Sequence, residues 1–310
     1  MAAPLAEQLL SGDVRALARA IRMVEDRDPE VPALIGAVRH QAGRASVVGI
    51  TGAPGSGKST LCDQLIQRWR GRGETVGVIA VDPSSPFSGG AILGDRVRMQ
   101  RHATDPGVFI RSMAARGHLG GLAAAAREAV RLLDASGRDR CLLETVGVGQ
   151  SELEVMRSAD TTIVVVTPAA GDSVQLMKAG ILEIADIFAV NKADQAGAAR
   201  VSRELRELVH QTRGSADWPP PVLQVVGLTG EGVDELVEAI DRHHQAAAAS
   251  GELRRRRTAR LRAEVEAIVI ERAAERARRA LSEGRMGIDE TTDLAGVDPY
   301  TLADQVTEGP

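Results

Sequence analysis

The chain has 310 residues, of which 44% are hydrophobic and 2% aromatic, and its formal net charge is -4. This length allows about two domains, or one large α/β domain with appendages, and the hydrophobic content is ample for a buried core. The lack of excess positive charge and the scarcity of aromatic side chains for base stacking exclude nucleic acid as the expected partner.

The sequence also constrains the cellular environment. Residues 1–10 lack a positively charged start followed by a long apolar core, so no signal peptide is evident. No apolar run approaches the roughly 20 residues that span a bilayer, and we expect a soluble, cytoplasmic protein with no membrane partner. Cys62 and Cys141 are the two cysteines, and we expect buried thiols rather than a disulfide or a metal site.

The first 45 residues predict a small helical extension. Apolar residues recur there at helical spacing, and the pairs Gly12-Asp13 and Asp28-Pro29 interrupt the pattern. We expect this extension, residues 1–45, to pack against the main domain, and we assign it no chemistry.

A phosphate-binding P-loop follows in the stretch GAPGSGKST, from Gly52 to Thr60. Its glycines allow backbone N–H groups to turn inward around a β-phosphate, at the start of a helix whose dipole favours anions. We expect Lys58 to bridge the β- and γ-phosphates and the Ser59 hydroxyl to hold Mg²⁺. The alternative, a glycine-rich turn without a ligand, does not require lysine and serine at these positions. The predicted phosphate-binding residues are Gly52, Gly55, Ser56, Gly57, Lys58, Ser59 and Thr60.

Strands and helices alternate through residues 46–245, which we assign to one P-loop domain. The predicted strands are 46–51, 75–81, 108–111, 140–144, 161–166, 187–190 and 222–226. The predicted helices are 59–70, 119–133, 174–184, 198–211 and 232–243. This alternation favours an α/β fold with a mostly parallel central sheet flanked by helices, and it places ligands at the carboxyl ends of the strands.

Acidic residues follow two of these strands. Asp82 ends the second strand, before a segment rich in glycine, proline and serine, and it either reaches Mg²⁺ or makes a local turn. Glu144 ends the fourth, and Gly147 follows three residues later, which is the spacing of a Mg²⁺-associated acid and a glycine whose N–H contacts a γ-phosphate. The longer reach of a glutamate suits ligation through water or a base-like role as well as direct ligation. Gln150 either orients the attacking water or caps a helix.

A short polar motif, NKAD at residues 191–194, has the chemistry to read guanine. Asp194 can accept hydrogen bonds from guanine N1–H and from the N2 amine, neither of which adenine offers. Asn191 can contact the purine edge, and the aliphatic stem of Lys192 can pack on the base. Because the wrong base leaves a desolvated carboxylate, the sequence predicts GTP rather than ATP. With the loop at 227–232 closing over guanine O6, the predicted base-binding residues are Asn191, Lys192, Asp194, Gly227 and Leu228.

Residues 246–310 predict a helical arm. A long charged helix from 252 to 282 carries only a thin apolar seam, which is typical of pairing with another helix, such as one from a second subunit. The basic run at 254–257 lies among acidic residues and indicates a solvated helix face. We assign no role to the tail at 284–310.

The motifs in combination resemble the MeaB/ArgK family of P-loop GTPases, which are of the metallochaperone type and are associated with methylmalonyl-CoA mutase. The segments that carry the resemblance are 52–60, 82–96, 116–122, 144–152 and 191–194, and it extends over nearly the whole chain. The resemblance implies a Mg²⁺-dependent GTPase, binding GTP and GDP, that chaperones a coenzyme B12-dependent acyl-CoA mutase. Such a protein gates adenosylcobalamin delivery and protects or reactivates the mutase.

The resemblance also implies roles for individual residues. The resemblance places Ser59, Asp82 and Glu144 at the magnesium site and Lys58 on the phosphates. Together with the roles read from the residues, the expected catalytic residues are Lys58, Glu144, Gln150 and Lys178. The loop at 168–178 resembles a further switch segment of the family, one that changes conformation when the mutase binds. Gln175 or Lys178, which the residues alone assign to a solvated helix face, would then enter the nucleotide site. The C-terminal arm resembles a dimer arm, which implies a homodimer.

Two other functions stay open at this point. A nickel-insertion GTPase would share the fold, but such proteins usually carry clusters of cysteine and histidine, whereas this chain has two distant cysteines and scattered histidines. An ATP-dependent kinase would use the same P-loop, but residues 191–194 favour guanine, and no protein-kinase catalytic loop is present in the sequence.

Overall fold

The computed structural model describes residues 2–82, 99–114, 119–145, 147, 149–168, 182–214, 216–283 and 298–308. The chain divides into two compact units, Met1–Arg254 and Arg255–Pro310. Among the described helices, none is both long and apolar enough to cross a membrane.

One parallel sheet forms the centre of the first unit. Its strands within the described residues are β1 (Ser46–Gly52), β2 (Val76–Asp82), β3 (Val108–Ala114), β4 (Arg140–Thr145), β5 (Thr161–Val166), β6 (Ile187–Asn191) and β7 (Val222–Val225). They lie in the order β3-β2-β4-β1-β5-β6-β7, and each is parallel to its neighbours. The predicted α/β fold with a mostly parallel sheet is confirmed.

The third strand is longer than predicted. The apolar pattern stops at Arg111, but pairing with β2 continues through Ser112 to Ala114, which lies opposite Asp82. Backbone pairing with a neighbouring strand therefore extends β3 beyond the point at which its own sequence pattern ends.

Helices cover both faces of the sheet. They are α1 (Ala2–Leu10), α2 (Val14–Glu25), α3 (Val31–Val38), α4 (Lys58–Gly71), α5 (Leu119–Ala135), α6 (Gln150–Met156), α7 (Ala198–Arg213) and α8 (Val233–Ala249). Helices α4 and α8 pack on one face, with Val48 and Ile50 of β1. Helices α5 and α6 pack on the other face, with Val47 of β1, and α7 covers that face at β5 and β6. Of the predicted helix at 174–184, only the turn Leu182–Ile184 lies within the described residues.

The N-terminal helices are part of the main core. Leu9 of α1, Ile21 of α2 and Leu34 of α3 are fully buried and share one hydrophobic cluster with Val47 of β1. The Asp13 side chain accepts the N–H groups of residues 15 and 16 at 2.7 and 3.1 Å, so it caps α2 and fixes where that helix begins. The predicted packing of this extension against the main domain is therefore observed.

A buried carboxylate anchors the chain where it enters β1. Asp134, near the end of α5, accepts the backbone N–H of Gly43, the N–H of Arg44 at 3.1 Å and the N–H of Ala45 at 2.9 Å. Hydrogen bonds to a charged acceptor are stronger than neutral ones. Because β1 runs directly into the P-loop, this anchor helps to set the position of the loop.

The second unit contains most of one long helix, α9 (Glu252–Ser282), and the helix α10 (Pro299–Glu308). No residue of α9 is buried, although Leu261, Val265, Ile268 and Val269 are apolar. The predicted helix at 252–282 is confirmed, and its apolar seam is exposed. A seam of this kind is energetically unfavourable in water and favours a partner surface.

Replacing Asp134 by alanine is expected to lower the free energy of unfolding by about 2–4 kcal/mol, because three backbone N–H groups lose a charged acceptor. Urea denaturation followed by circular dichroism measures this loss. Asp13→Ala is the matched control: it also removes a carboxylate that accepts backbone N–H groups, but at an exposed helix start, where about 1 kcal/mol is expected. A loss in Asp134→Ala no larger than that of the control would contradict the anchoring role.

Candidate nucleotide-binding site

The loop between β1 and α4 needs glycine at two positions for steric reasons. Gly52 has φ of 151°, and a Cβ there would lie 2.3 Å from the carbonyl oxygen of Val165. Gly57 has φ of 90°, and a Cβ there would lie 2.3 Å from Nδ2 of Asn191. A side chain at either position would clash with β5 or with the end of β6. The loop is therefore packed tightly into the carboxyl edge of the sheet.

Polar groups of the P-loop point into the loop itself. The ammonium of Lys58 is buried and donates to the carbonyl oxygens of Gly52 and Ala53 at 2.9 and 3.0 Å. Ser56 is also buried, and its hydroxyl has no hydrogen-bond partner among the described residues. A buried hydroxyl without a partner is costly, and a ligand oxygen would satisfy it. The loop therefore has the donor chemistry that a phosphate group requires.

The predicted magnesium residues Ser59 and Glu144 lie in contact. Ser59 is at the start of α4, and its hydroxyl donates to Oε1 of Glu144, at the end of β4, at 2.7 Å. Both side chains are buried. Hydroxyl and carboxylate oxygens are the hard donors that Mg²⁺ prefers, so these residues fit the ion.

Asp82 lies near this pair along the sheet. It ends β2, and the residue two positions before it, Ala80, is opposite Glu144 in the register of β2 with β4. Its backbone is described, whereas its side chain lies outside the description. Among the described residues, no three His, Cys, Asp or Glu side chains form a cluster that could hold a metal ion. Mg²⁺ is commonly bound by one or two carboxylates, phosphate oxygens and water.

Gly147 follows β4, at the same edge of the sheet. Its carbonyl oxygen accepts a hydrogen bond from the Thr51 hydroxyl at 2.9 Å. Gln150 is the first residue of α6, with Gly149 as the cap, and its side chain lies outside the description. Gln175 and Lys178 lie outside the described residues. The structure thus brings Gly147 to the P-loop edge and leaves the other three roles as predictions.

Asn191 connects the P-loop to the loop after β7. Its carboxamide nitrogen donates to the carbonyl oxygen of Ser56 at 2.8 Å, and its carboxamide oxygen accepts the N–H of Gly227 at 3.0 Å. The side chain is 2% exposed. The sequence predicted a contact with the purine edge, and this structural tether is an additional role that the motif alone did not indicate.

The predicted base-contacting residues lie beyond this tether. Lys192 has φ of 59°, an unusual conformation for a residue other than glycine, and its ammonium donates to the carbonyl oxygen of Gly55 at 3.0 Å. Its aliphatic stem therefore extends along the P-loop. Asp194 is exposed, as is Leu228 with 85% of its surface accessible. The positive φ of Lys192 is a strained backbone conformation of a kind that is typical of functional positions.

A second polar cluster on α4 was missed by sequence reasoning. Asp63, one turn after Ser59, accepts from Nε of Arg101 at 2.6 Å and lies 3.0 Å from Nε2 of His102. This cluster attaches the chain before β3 to the helix that follows the P-loop. Its residues are separated by almost forty positions and match no motif, so only the fold brings them together.

The two cysteines carry no part of the site. Cys62 and Cys141 are buried thiols, as the sequence predicts, and neither is part of a disulfide. Burial raises the pKa of the Cys141 thiol, and the nearby carboxylates of Asp134 and Asp160 act in the same direction. The thiol stays protonated and is therefore a poor nucleophile and a poor metal ligand.

The chain is similar to proteins described as GTPases. The family model for methylmalonyl-CoA mutase-associated GTPases (MeaB) matches residues 17–282. A Pyrococcus horikoshii protein named as a GTPase is 48% identical over 307 residues, covering 98% of this chain and 96% of that protein. The GTPase ArgK of Escherichia coli is 41% identical over 254 residues, covering 79% of this chain and 77% of that protein.

A eukaryotic relative and a solved structure are also similar. A Caenorhabditis elegans protein named methylmalonic aciduria type A homolog, mitochondrial, is 36% identical over 272 residues, covering 82% of this chain and 68% of that protein. A crystal structure described as an LAO/AO transport system kinase aligns with a TM-score of 0.71 and 29% identity, covering 99% of this chain and 96% of that one. The fold of that crystal structure is therefore shared along nearly the whole chain.

Replacing Asp194 by asparagine is expected to weaken GDP binding by at least about 100-fold, because asparagine keeps only one acceptor oxygen and presents an amide donor to the second of the two base donors, N1–H and N2. Fluorescence titration with labelled GDP and ADP measures this loss and the discrimination between the two purines. Glu207→Gln removes an exposed carboxylate on α7 and is the matched control. An Asp194→Asn variant that discriminates as the wild type does would contradict the base-reading role.

Proposed function

The chain belongs to the MeaB family of methylmalonyl-CoA mutase-associated GTPases, and on this premise we propose that it chaperones a coenzyme B12-dependent acyl-CoA mutase. Its own activity is the hydrolysis of GTP to GDP and phosphate. In the proposed cycle, this hydrolysis gates adenosylcobalamin delivery and protects or reactivates the mutase. The proposed location of the cycle is the cytoplasm. Support for the mutase partner comes from the description of the family and from the name of the Caenorhabditis elegans relative.

The buried contact between Ser59 and Glu144 beside the P-loop is the observation that carries the proposed nucleotide chemistry. Ser59 and Glu144, with Asp82, are the residues that would hold Mg²⁺, and the ion would supply positive charge to offset that of the phosphates. Lys58 leaves the carbonyl groups of the P-loop and binds the phosphates. The amide groups of the loop and this ammonium then stabilise the negative charge that develops during hydrolysis.

Gly147 and three side chains complete the proposed site. The N–H of Gly147 contacts the γ-phosphate, so the segment after β4 responds to its presence. Gln150, at the start of α6, orients the attacking water. Gln175 or Lys178 enters the site when the mutase binds, which makes hydrolysis depend on the partner.

The long helix α9 is the proposed dimer arm. Its apolar residues Leu261, Val265, Ile268 and Val269 recur at spacings of three and four, so they form one stripe along the helix. Exposures between 40% and 57% leave this stripe available to a second copy of the chain. Pairing of two such helices would remove the stripe from water.

GTP hydrolysis is expected to rise at least about tenfold when a coenzyme B12-dependent acyl-CoA mutase from the same organism is added, because partner contact completes the active site. Phosphate release with and without the mutase measures this effect. Lys58→Ala is expected to abolish turnover in both conditions. A rate that is indifferent to the mutase would reject the partner, whereas an unchanged rate in Lys58→Ala would reject the site.

The double variant Val265→Glu/Ile268→Glu is expected to convert a dimer into a monomer, because four carboxylates would face one another across the paired helices. Sedimentation equilibrium measures the mass. The control Glu266→Gln changes an exposed residue of the same helix and should leave the mass as in the wild type. A wild-type protein that is already monomeric, or a double variant that stays dimeric, would reject this interface.

A further inference from the structure

The hydroxyl oxygens of Thr51 and Thr145 and the carbonyl oxygen of Gly147 form a closed triangle of contacts next to the P-loop. The Thr51 hydroxyl donates to the carbonyl oxygen of Gly147 at 2.9 Å. The Thr145 hydroxyl lies 3.1 Å from the Thr51 oxygen and 3.2 Å from the same Gly147 carbonyl oxygen, so it can donate to either. Neither threonine side chain is assigned a part in the site described above.

The two threonines of the triangle lie on neighbouring strands with their side chains buried, whereas Gly147 is partly buried. Thr51 and Thr145 are both 0% exposed. They belong to β1 and β4, which pair in parallel with Ile50 opposite Glu144, so the two threonines are adjacent at the carboxyl edge. Hydrogen bonds in such a buried setting hold their partners more firmly than bonds exposed to water.

Each threonine is next in sequence to a residue of the nucleotide site. Thr51 directly precedes Gly52, the first glycine of the P-loop, and Thr145 directly follows Glu144. Side chains alternate along a strand, so Glu144 reaches α4 on one face while Thr145 lies on the other face. At the end of β4, Glu144 therefore contacts Ser59, and the next residue, Thr145, contacts Gly147.

We propose that Thr51 and Thr145 are positioning residues that set the backbone of Gly147 against the γ-phosphate and couple it to the P-loop. This inference rests on the role proposed above for Gly147. A glycine is conformationally permissive and has no side chain by which its neighbours could hold it. Holding its carbonyl oxygen restricts where its Cα, and the N–H group bonded to that Cα, can lie. The stiff rotamers of threonine suit that task.

The coupling affects the binding of GTP and not the binding of GDP. GDP lacks the γ-phosphate that the Gly147 N–H is proposed to contact, so the position of that N–H does not enter its binding energy. GTP binding depends directly on the position of the Gly147 N–H. A ligand shifts an equilibrium only by its differential interaction with the two states, and here the difference lies in the third phosphate.

The test compares the affinities of Thr51→Val for GDP and for a non-hydrolysable imido analogue of GTP. Valine keeps the shape of threonine and removes the hydroxyl. Affinity for the analogue is expected to fall about five- to tenfold, with a similar fall in kcat, while GDP affinity stays as in the wild type. Thr145→Val should act in the same direction. Thr51→Ser keeps the hydroxyl and should restore the wild-type ratio.

Thr161→Val is the matched control. Thr161 is equally buried, begins β5 at the opposite edge of the sheet, and has its hydroxyl 2.8 Å from Nδ1 of His243. The control should lower the stability without changing the ratio of the two affinities. Unchanged GDP binding reports that each variant is folded.

Two results would overturn the inference: an unchanged ratio in Thr51→Val, or a Thr51→Ser variant that behaves like Thr51→Val. A Gly147→Pro variant, which lacks the N–H, separates this inference from the proposal beneath it. If that variant keeps the wild-type ratio, the role of Gly147 itself fails. If it loses analogue binding while Thr51→Val does not, only the coupling fails.

Discussion

The parallel register of β1 against β4 is the constraint on which the candidate site depends. It places Ile50 opposite Glu144, so the P-loop and the segment after β4 leave the sheet side by side. Because side chains alternate, this register directs Glu144 towards Ser59 and Thr145 towards Thr51. A slip of one residue would move both side chains to the wrong faces. The packing of apolar residues on both faces of the sheet makes such a slip prohibitively costly.

Buried polar side chains reinforce this register by holding backbone groups at both edges of the sheet. At the amino edge, Asp134 holds residues 43–45, Asp160 accepts the N–H of Val47 at 3.2 Å, and Asp186 accepts the N–H of Thr162 at 2.9 Å. At the carboxyl edge, the side chain of Asn191 holds the P-loop by donating to the carbonyl oxygen of Ser56. Each satisfies donors or acceptors that strand pairing leaves open, as buried backbone requires. The candidate site thus lies on a sheet whose strands are held at their amino ends, with the P-loop held by Asn191.

Local patterns in the sequence were sufficient for the architecture. The apolar runs and the spacing of glycine, lysine and serine around Lys58 depend on neighbouring residues, so the strands, the long helices and the P-loop could be predicted from them. The tether from Asn191 to the P-loop joins residues 135 positions apart, and the contact of Thr51 with Gly147 spans 96. No local pattern encodes such contacts. Thr51 and Thr145 have the composition of ordinary strand residues, and only the register gives their hydroxyls a common acceptor.

The close approach of Asn191 to Gly57 has a consequence for protein engineering. Because an added Cβ at Gly57 would lie 2.3 Å from the carboxamide nitrogen of Asn191, the proposed base-reading segment and the P-loop form a single steric unit. A graft of a different base-reading segment onto this scaffold would have to reproduce that amide, with its two backbone contacts, before it could alter the choice of base. Redesign of the proposed nucleotide preference is therefore best confined to positions beyond the tether, such as Asp194 and Leu228, whose side chains are exposed.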